Sequence, residues 1–268
     1  MKLEVKDVKN GKTGTIDLPT QFTEEVRADL IKRAVLVVQA NNRQAYGANP
    51  DAGMRHSAEL SRRRRKYRGS YGHGISRVPR KIHSRNGTRM QWVGAVSPGT
   101  VGGRRAHAPK AEKIWSKKIN AKERKKAIRA ALAATVAKKI VEKRGHAMPE
   151  GYPFALDNSF ESIKKTKDVL VALKAVGMSD ELEKTAKRNI RAGKGKMRGR
   201  KYASPAGSLV VVSKACDITK SAANIPGITI KVVDELSAEL LAPGCVPGRL
   251  TLFTQAALEK MKESKLYQ

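Results

Sequence analysis

Cysteine, long apolar runs and, over one long stretch, acidic residues are scarce in this chain. The two cysteines, Cys216 and Cys245, sit in or beside apolar runs and form no Cys-x-x-Cys or Cys/His zinc spacing. Both are expected to be reduced, buried thiols that behave as small hydrophobes. No run approaches the ~18 apolar residues that a membrane-spanning helix needs, and Met1–Lys6 lacks the apolar core of a signal peptide. The expected setting is therefore cytosolic, with no membrane partner.

The shortage of acids says most. Between Arg43 and Lys110 there are sixteen lysines and arginines against two acids, Asp51 and Glu59. The same residues include ten glycines and only seven Val, Ile, Leu or Phe. A segment so poor in core residues cannot offset its ordering entropy alone and needs a polyanion to give it shape. Lys187–Lys201 adds eight more cations and no acid, within a chain of net charge +31. Charge concentrated in this way points to nucleic acid. A membrane surface fits less well, because Arg62–Lys66 has no amphipathic apolar face.

The remainder reads as an ordinary domain able to build a core. Leu3–Val8 alternates as a strand, with a return at Thr15–Leu18. Thr23, followed by Glu24 and Glu25, suggests the start of a helix carrying Val26, Leu30, Ala34 and Val37 at helical spacing. Asn120 with Glu123 resembles a capping box ahead of a helix through Ile128, Leu132, Val136 and Ile140 that ends at Gly145. Strands and helices then alternate: strand Phe154–Leu156, helices Thr166–Val176 and Asp180–Ile190, strand Leu209–Val212, helix Asp217–Ala223, strand Ile228–Val233, a helical turn Leu236–Leu241, strand Leu250–Phe253, and a helix capped by Thr254. This order predicts an α/β fold, a mostly parallel sheet with helices on both faces, interrupted by a long basic extended loop. The expected division is 1–42 and 111–268 as the globular domain, 43–110 as the extended loop, which shows no sustained period, and 187–202 as a second basic segment.

Catalytic signatures are missing. Gly193-Lys194-Gly195-Lys196-Met197-Arg198-Gly199 looks like a phosphate loop, but the required upstream glycine and the Ser/Thr after the lysine are absent, and its third glycine is misplaced for a dinucleotide fingerprint. Four of the five histidines, His56, His73, His83 and His107, lie where only Asp51 and Glu59 could tune them, so neither a metal site nor acid–base chemistry is expected. The expectation is no enzyme, no cofactor and no metal.

What is present suits RNA. Arg62-Arg63-Arg64-Arg65-Lys66 precedes Tyr67, Arg68, Gly69 and Tyr71. Arginines fork onto phosphates, tyrosines stack on unpaired bases, and glycines allow close approach. Trp92, in a stretch without a core, suits stacking on a base. In Gly102-Gly103-Arg104-Arg105-Ala106-His107-Ala108-Pro109-Lys110 the arginine pair can clamp adjacent phosphates.

That string, with Arg27-Ala28-Asp29-Leu30-Ile31, Gly47, Ala52-Gly53-Met54-Arg55, Gly72-His73-Gly74, Arg77-Val78-Pro79-Arg80 and Ile190–Arg198, resembles the universal large-subunit ribosomal protein L-four family in its archaeal and eukaryotic branch. The likeness covers nearly the whole chain, Leu60–Tyr67 being least typical. It implies an α/β domain on the outside of the large ribosomal subunit and a long extension through ribosomal RNA. It also implies early binding during assembly and an extension tip in the wall of the peptide exit tunnel. Implied partners are large-subunit ribosomal RNA, neighbouring ribosomal proteins and the nascent peptide. The RNA-binding candidates are Arg43, Arg55, Arg62, Arg63, Arg64, Arg65, Lys66, Tyr67, Arg68, Tyr71, Arg85, Arg89, Trp92, Arg104, Arg105, His107 and Lys110, with Arg191, Lys194, Lys196, Arg198, Arg200 and Lys201 in the second segment. Arg77, Arg80 and Lys81, within Gly69–Val96, are the tunnel-proximal candidates. The rival readings are a general RNA chaperone and an RNA-modifying enzyme on an α/β scaffold.

Overall fold

The computed structural model describes residues 1–268. In chain order the elements are β1 (Lys2–Lys6), β2 (Lys12–Asp17), α1 (Ala28–Asn41), β3 (Arg80–Asn86), β4 (Arg89–Gly94), α2 (Ala121–Val136), α3 (Lys138–Arg144), β5 (Phe154–Leu156), α4 (Thr166–Ala175), α5 (Ser179–Ala186), β6 (Asn189–Ile190), β7 (Tyr202–Ala203), β8 (Leu209–Val212), α6 (Asp217–Ser221), β9 (Thr229–Val232), α7 (Ala238–Leu241), β10 (Thr251–Thr254) and α8 (Gln255–Glu263). They fall into two units, Met1–Asn42 with Ser116–Gln268, and Arg43–Trp115.

The first unit is a mixed α/β fold on a six-stranded sheet ordered β2-β1-β5-β10-β8-β9. Only the β1–β2 pair is antiparallel. The central strands β5, β8 and β10 are buried along their whole length, which explains the continuous apolar sequences of β5 and β8. Alternate side chains divide between two cores, as the strand period requires. Leu3, Val5, Ala155, Leu209, Val211 and Phe253 pack with Ile31, Val35, Leu132 and Leu258 from α1, α2 and α8. On the other face Phe154, Leu156, Val210, Val212 and Leu252 pack with Val169, Leu173, Leu182 and Ile218 from α4, α5 and α6.

Local expectations hold unevenly. Gly145 ends α3 in the left-handed conformation, and Thr254 caps α8 by accepting from the Ala257 N–H. Thr23 does not open the first helix; a 3-10 turn covers Thr20–Phe22, its hydroxyl donates back to Thr20 O, and α1 starts at Ala28. The capping box at Asn120 does not form: the Asn120 side chain makes no cap bond, and Glu123 instead pairs with Arg33 at 2.9 Å. The long helix breaks at Ala137 (ψ 98°), where the Tyr152 hydroxyl takes the Thr135 carbonyl. Asp180–Ile190 divides into α5 and the start of a short antiparallel pair, β6–β7. Both cysteines are free, and half-buried instead of fully buried.

The second unit holds the antiparallel pair β3–β4, closed at Gly87 (φ +57°). A glycine at positive φ in a two-residue loop is what such a hairpin needs. Of its apolar side chains only Ala95 is buried. No helix of the protein is long and apolar enough to cross a membrane.

Candidate nucleic-acid interface

Glycine shapes the second unit where backbone meets backbone. Ala48 N–H donates to Pro109 O at 2.8 Å. A Cβ on Gly47 would lie 2.4 Å from Ala111 N, and one on Gly53, which sits at φ +80°, 2.6 Å from Arg104 Cα. Residues 47–53 and 103–111 therefore run side by side only because both positions are glycine. The pairing brings Met54, Arg104, Arg105, His107 and Lys110 to one groove. A glycine-containing stretch with no cation thus backs the basic string 104–110.

The pentad Arg62–Lys66 is exposed and none of its members has a carboxylate within ion-pair distance. A tight turn presents it: Gly69 N–H donates to Lys66 O at 2.9 Å, and a Cβ there would lie 2.8 Å from that oxygen. Lys66, Tyr67, Arg68, His73 and Trp92 line one depression, so cations and two aromatic rings share a concave site. Arg68 is half-buried and paired with Glu59 at 3.2 Å, so its charge is partly spent inside the unit.

Several arginines lie over rings. Arg77 is 4.8 Å from the Tyr71 centroid, Arg80 is 5.3 Å from Trp92, and Arg85 is 5.7 Å from Tyr67. At this range the ring quadrupole attracts the cation. Arg80 is also committed to Ser76 O at 2.6 Å and Val78 O at 3.3 Å, making it a brace at the base of the hairpin. Lys81 follows it on β3, half-buried. Arg55, Arg89 and Arg105 are exposed, and Arg104 is half-buried.

Sequence reasoning missed Tyr46, Lys113 and Trp115. Arg43 stands 3.7 Å from the Trp115 centroid, Tyr46 stacks on that indole at 5.8 Å, and the Lys113 ammonium lies 4.3 Å from the same ring. The clue was an indole shortly beyond the last basic string.

In the second basic segment Arg191, exposed, donates to Arg200 O at 3.2 Å and Tyr202 O at 3.4 Å. Lys194, Lys196, Arg198, Arg200 and Lys201 stand around it, with Met197 exposed among them. Of these only Lys196 and its neighbours in the 3-10 turn Lys194–Arg198 have a regular backbone. Lys201 lies 5.5 Å from the Tyr202 ring.

Not every cation belongs to this surface. Arg249 is buried and donates to Gly207 O, Leu240 O, Ser208 O and Thr229 Oγ1. Burial, with Arg144 nearby, pulls its pKa down to about 10. The carboxyl ends of the central strands are where α/β enzymes place ligands. Glu161 accepts there from Ser213 N–H at 2.9 Å and from Thr254 Oγ1 at 2.7 Å, with Phe160 buried beside it. No group of three or more His, Cys, Asp or Glu is arranged to hold a metal.

The model of the ribosomal protein L4/L1 family matches residues 16–264. The chain is 46% identical to the large ribosomal subunit protein uL4 of Nanoarchaeum equitans, over 100% of each chain. It is 44% identical to the protein of that name from Archaeoglobus fulgidus, over 98% of this chain and 99% of the relative. The corresponding protein of Methanocaldococcus jannaschii is 43% identical, over 98% and 99%. With such likeness running nearly end to end, the chain belongs to the ribosomal protein L4/L1 family.

Proposed function

We propose that this protein is a structural, non-catalytic constituent of the large ribosomal subunit, working in the cytoplasm. It binds large-subunit ribosomal RNA and neighbouring ribosomal proteins. The observation that carries this reading is the union of full-length family likeness with a surface where glycine-shaped backbone gathers arginines and rings almost free of carboxylates. The α/β unit is the platform, since fold alone confers no activity. At the strand ends the Glu161 carboxylate is committed to Ser213 and Thr254, which speaks against its use as a catalytic group in the modifying-enzyme alternative.

Residues 43–110 act as an extended loop that enters the RNA, with 1–42 and 111–268 as the globular part and 187–202 as a second contact. Arg62–Lys66, Arg104 and Arg105 neutralise phosphates, while Tyr67, Tyr71 and Trp92 offer faces to unpaired bases. Counterion release offsets the entropy of fixing the loop. Binding of this kind pins distant RNA segments together early in subunit assembly. Arg77, Arg80 and Lys81 lie toward the exit-tunnel wall, beside the nascent peptide.

The test is a salt titration of the full chain on large-subunit ribosomal RNA, with unrelated RNA and duplex DNA alongside. The expected result is a clear preference for ribosomal RNA, with log affinity falling by roughly 0.7–0.9 per log salt for each neutralised phosphate. Equal binding to all three would favour a general RNA chaperone.

A further inference from the structure

The first unit carries a cleft of about 900 Å³ between α1, the start of α2 and the C-terminal residues. Val37, Val38, Ile119 and Leu236 give it an aliphatic patch, and half-buried Tyr267 lines it too, its hydroxyl donating to Val233 O. Lys117, Lys118 and Arg124 stand on its rim, exposed and without a carboxylate within ion-pair distance. The rim acids are already spent: Asp234 is held by Lys260 at 2.5 Å and Glu235 by Lys231 at 3.1 Å. Asn120, at the head of α2, makes no side-chain cap bond. The first turn of this 16-residue helix, between the cleft residues Ile119 and Arg124, therefore has no side-chain acceptor from its N-cap.

We propose that this cleft is a docking site for an acidic, amphipathic segment of a neighbouring protein in the large subunit, an inference that rests on the ribosomal reading above. The apolar face of the segment covers Val37, Val38 and Leu236, as a helix laid in a groove does. Its carboxylates meet Lys117, Lys118 and Arg124 and cap α2. RNA fits the rim better than the interior, where the aliphatic side chains offer base edges no hydrogen bond and the one ring, Tyr267, is half-buried with its hydroxyl committed to Val233 O. The contrast is with the depression around Tyr67 and Trp92.

The test places a photoreactive benzophenone residue at Ser237, beside the cleft, in the full chain assembled into large subunits. A second chain carries it at Arg64. Irradiation is expected to join position 237 to a protein segment rich in Asp and Glu at amphipathic spacing, and position 64 to RNA. The triple variant Lys117→Glu, Lys118→Glu, Arg124→Glu should lower the 237 adduct by at least about fivefold, because rim charges steer encounter. Its melting temperature and the RNA adduct at 64 should stay unchanged. An RNA adduct at 237, a basic or neutral partner segment, no adduct, or an undiminished adduct in the triple variant would overturn the proposal. Loss of the RNA adduct at position 64 would instead sink the ribosomal reading beneath it.

Discussion

The sheet-bearing unit uses Arg249, and the segment from Arg43 to Trp115 uses Arg62–Arg65, in opposite ways. In the first, Arg249 lies buried beneath the chain and spends its donors on three carbonyls and a hydroxyl. It is a packing residue that happens to be charged. In the second, Arg62–Arg65 are exposed and have no carboxylate in reach, and the unit buries a single apolar side chain, Ala95. One unit is ordered by two apolar cores and the other has almost none. The lesson is that basic residues become an interface where core and carboxylates are both missing, not wherever they are numerous.

The comparison can be broken first in the core. Phe253→Ala removes a ring packed edge-on at 5.3 Å against Phe22. It should cost about 3–5 kcal/mol in thermal or denaturant melting, with no change in the salt dependence of RNA binding.

Glu181→Ala comes next, at about 3 kcal/mol, because it leaves a buried histidine unpaired. Glu181 Oε1 is 2.6 Å from His146 Nδ1, and Oε2 accepts from Ala147 N–H. Burial pushes the carboxyl up, but the hydrogen bonds from His146 and Ala147 outweigh it and hold the group below its ordinary value. Its stabilisation is therefore whole above the ordinary value of 4.5 and is lost as pH falls through the depressed folded value. Acid melting curves should show the wild type losing more stability than Glu181→Gln over that window.

Gly53→Ala sharpens the contrast from the other side. The site has φ +80° and a backbone neighbour at 2.6 Å from any Cβ, so the strain of about 1–3 kcal/mol falls on the second unit alone. Hydrogen exchange should quicken at Arg104 N–H, which donates to Val96 O, while melting of the first unit stays put.

The smallest thermal effect belongs to Arg104→Ala with Arg105→Ala. Melting should shift by no more than about 0.5 kcal/mol. The salt slope of RNA binding should shrink by roughly 0.7–0.9 for each phosphate that the double variant no longer neutralises.

The sheet is legible in the sequence because β5 and β8 are short and continuously apolar, β10 carries Leu252 and Phe253 after Leu250, and helical spacing separates them. Glycine at 145 and threonine at 254 mark true helix ends because their roles are local. What escapes the sequence is tertiary. Nothing near Ala137 announces a break, and the Tyr152 hydroxyl that donates to the carbonyl of Thr135 there comes from beyond the helix. Glu123 reads as a capping residue until Arg33 draws it away. In the β3–β4 hairpin the cations hide the alternation, although Asn86-Gly87 is a turn signal. At the candidate interface the basic strings are visible one by one. The close approach of Gly53 to Arg104, and the Arg43–Trp115 stack, depend on long-range pairing that no local pattern encodes.

The central claim, that the basic surface seats this protein within ribosomal RNA, is tested most directly by sedimenting native lysate through a sucrose gradient after a high-salt wash. Salt screens loosely held phosphate contacts. The account predicts retention in the large-subunit peak at close to one copy per particle. Release to the top of the gradient would contradict it, leaving a peripheral RNA binder in place of a structural component.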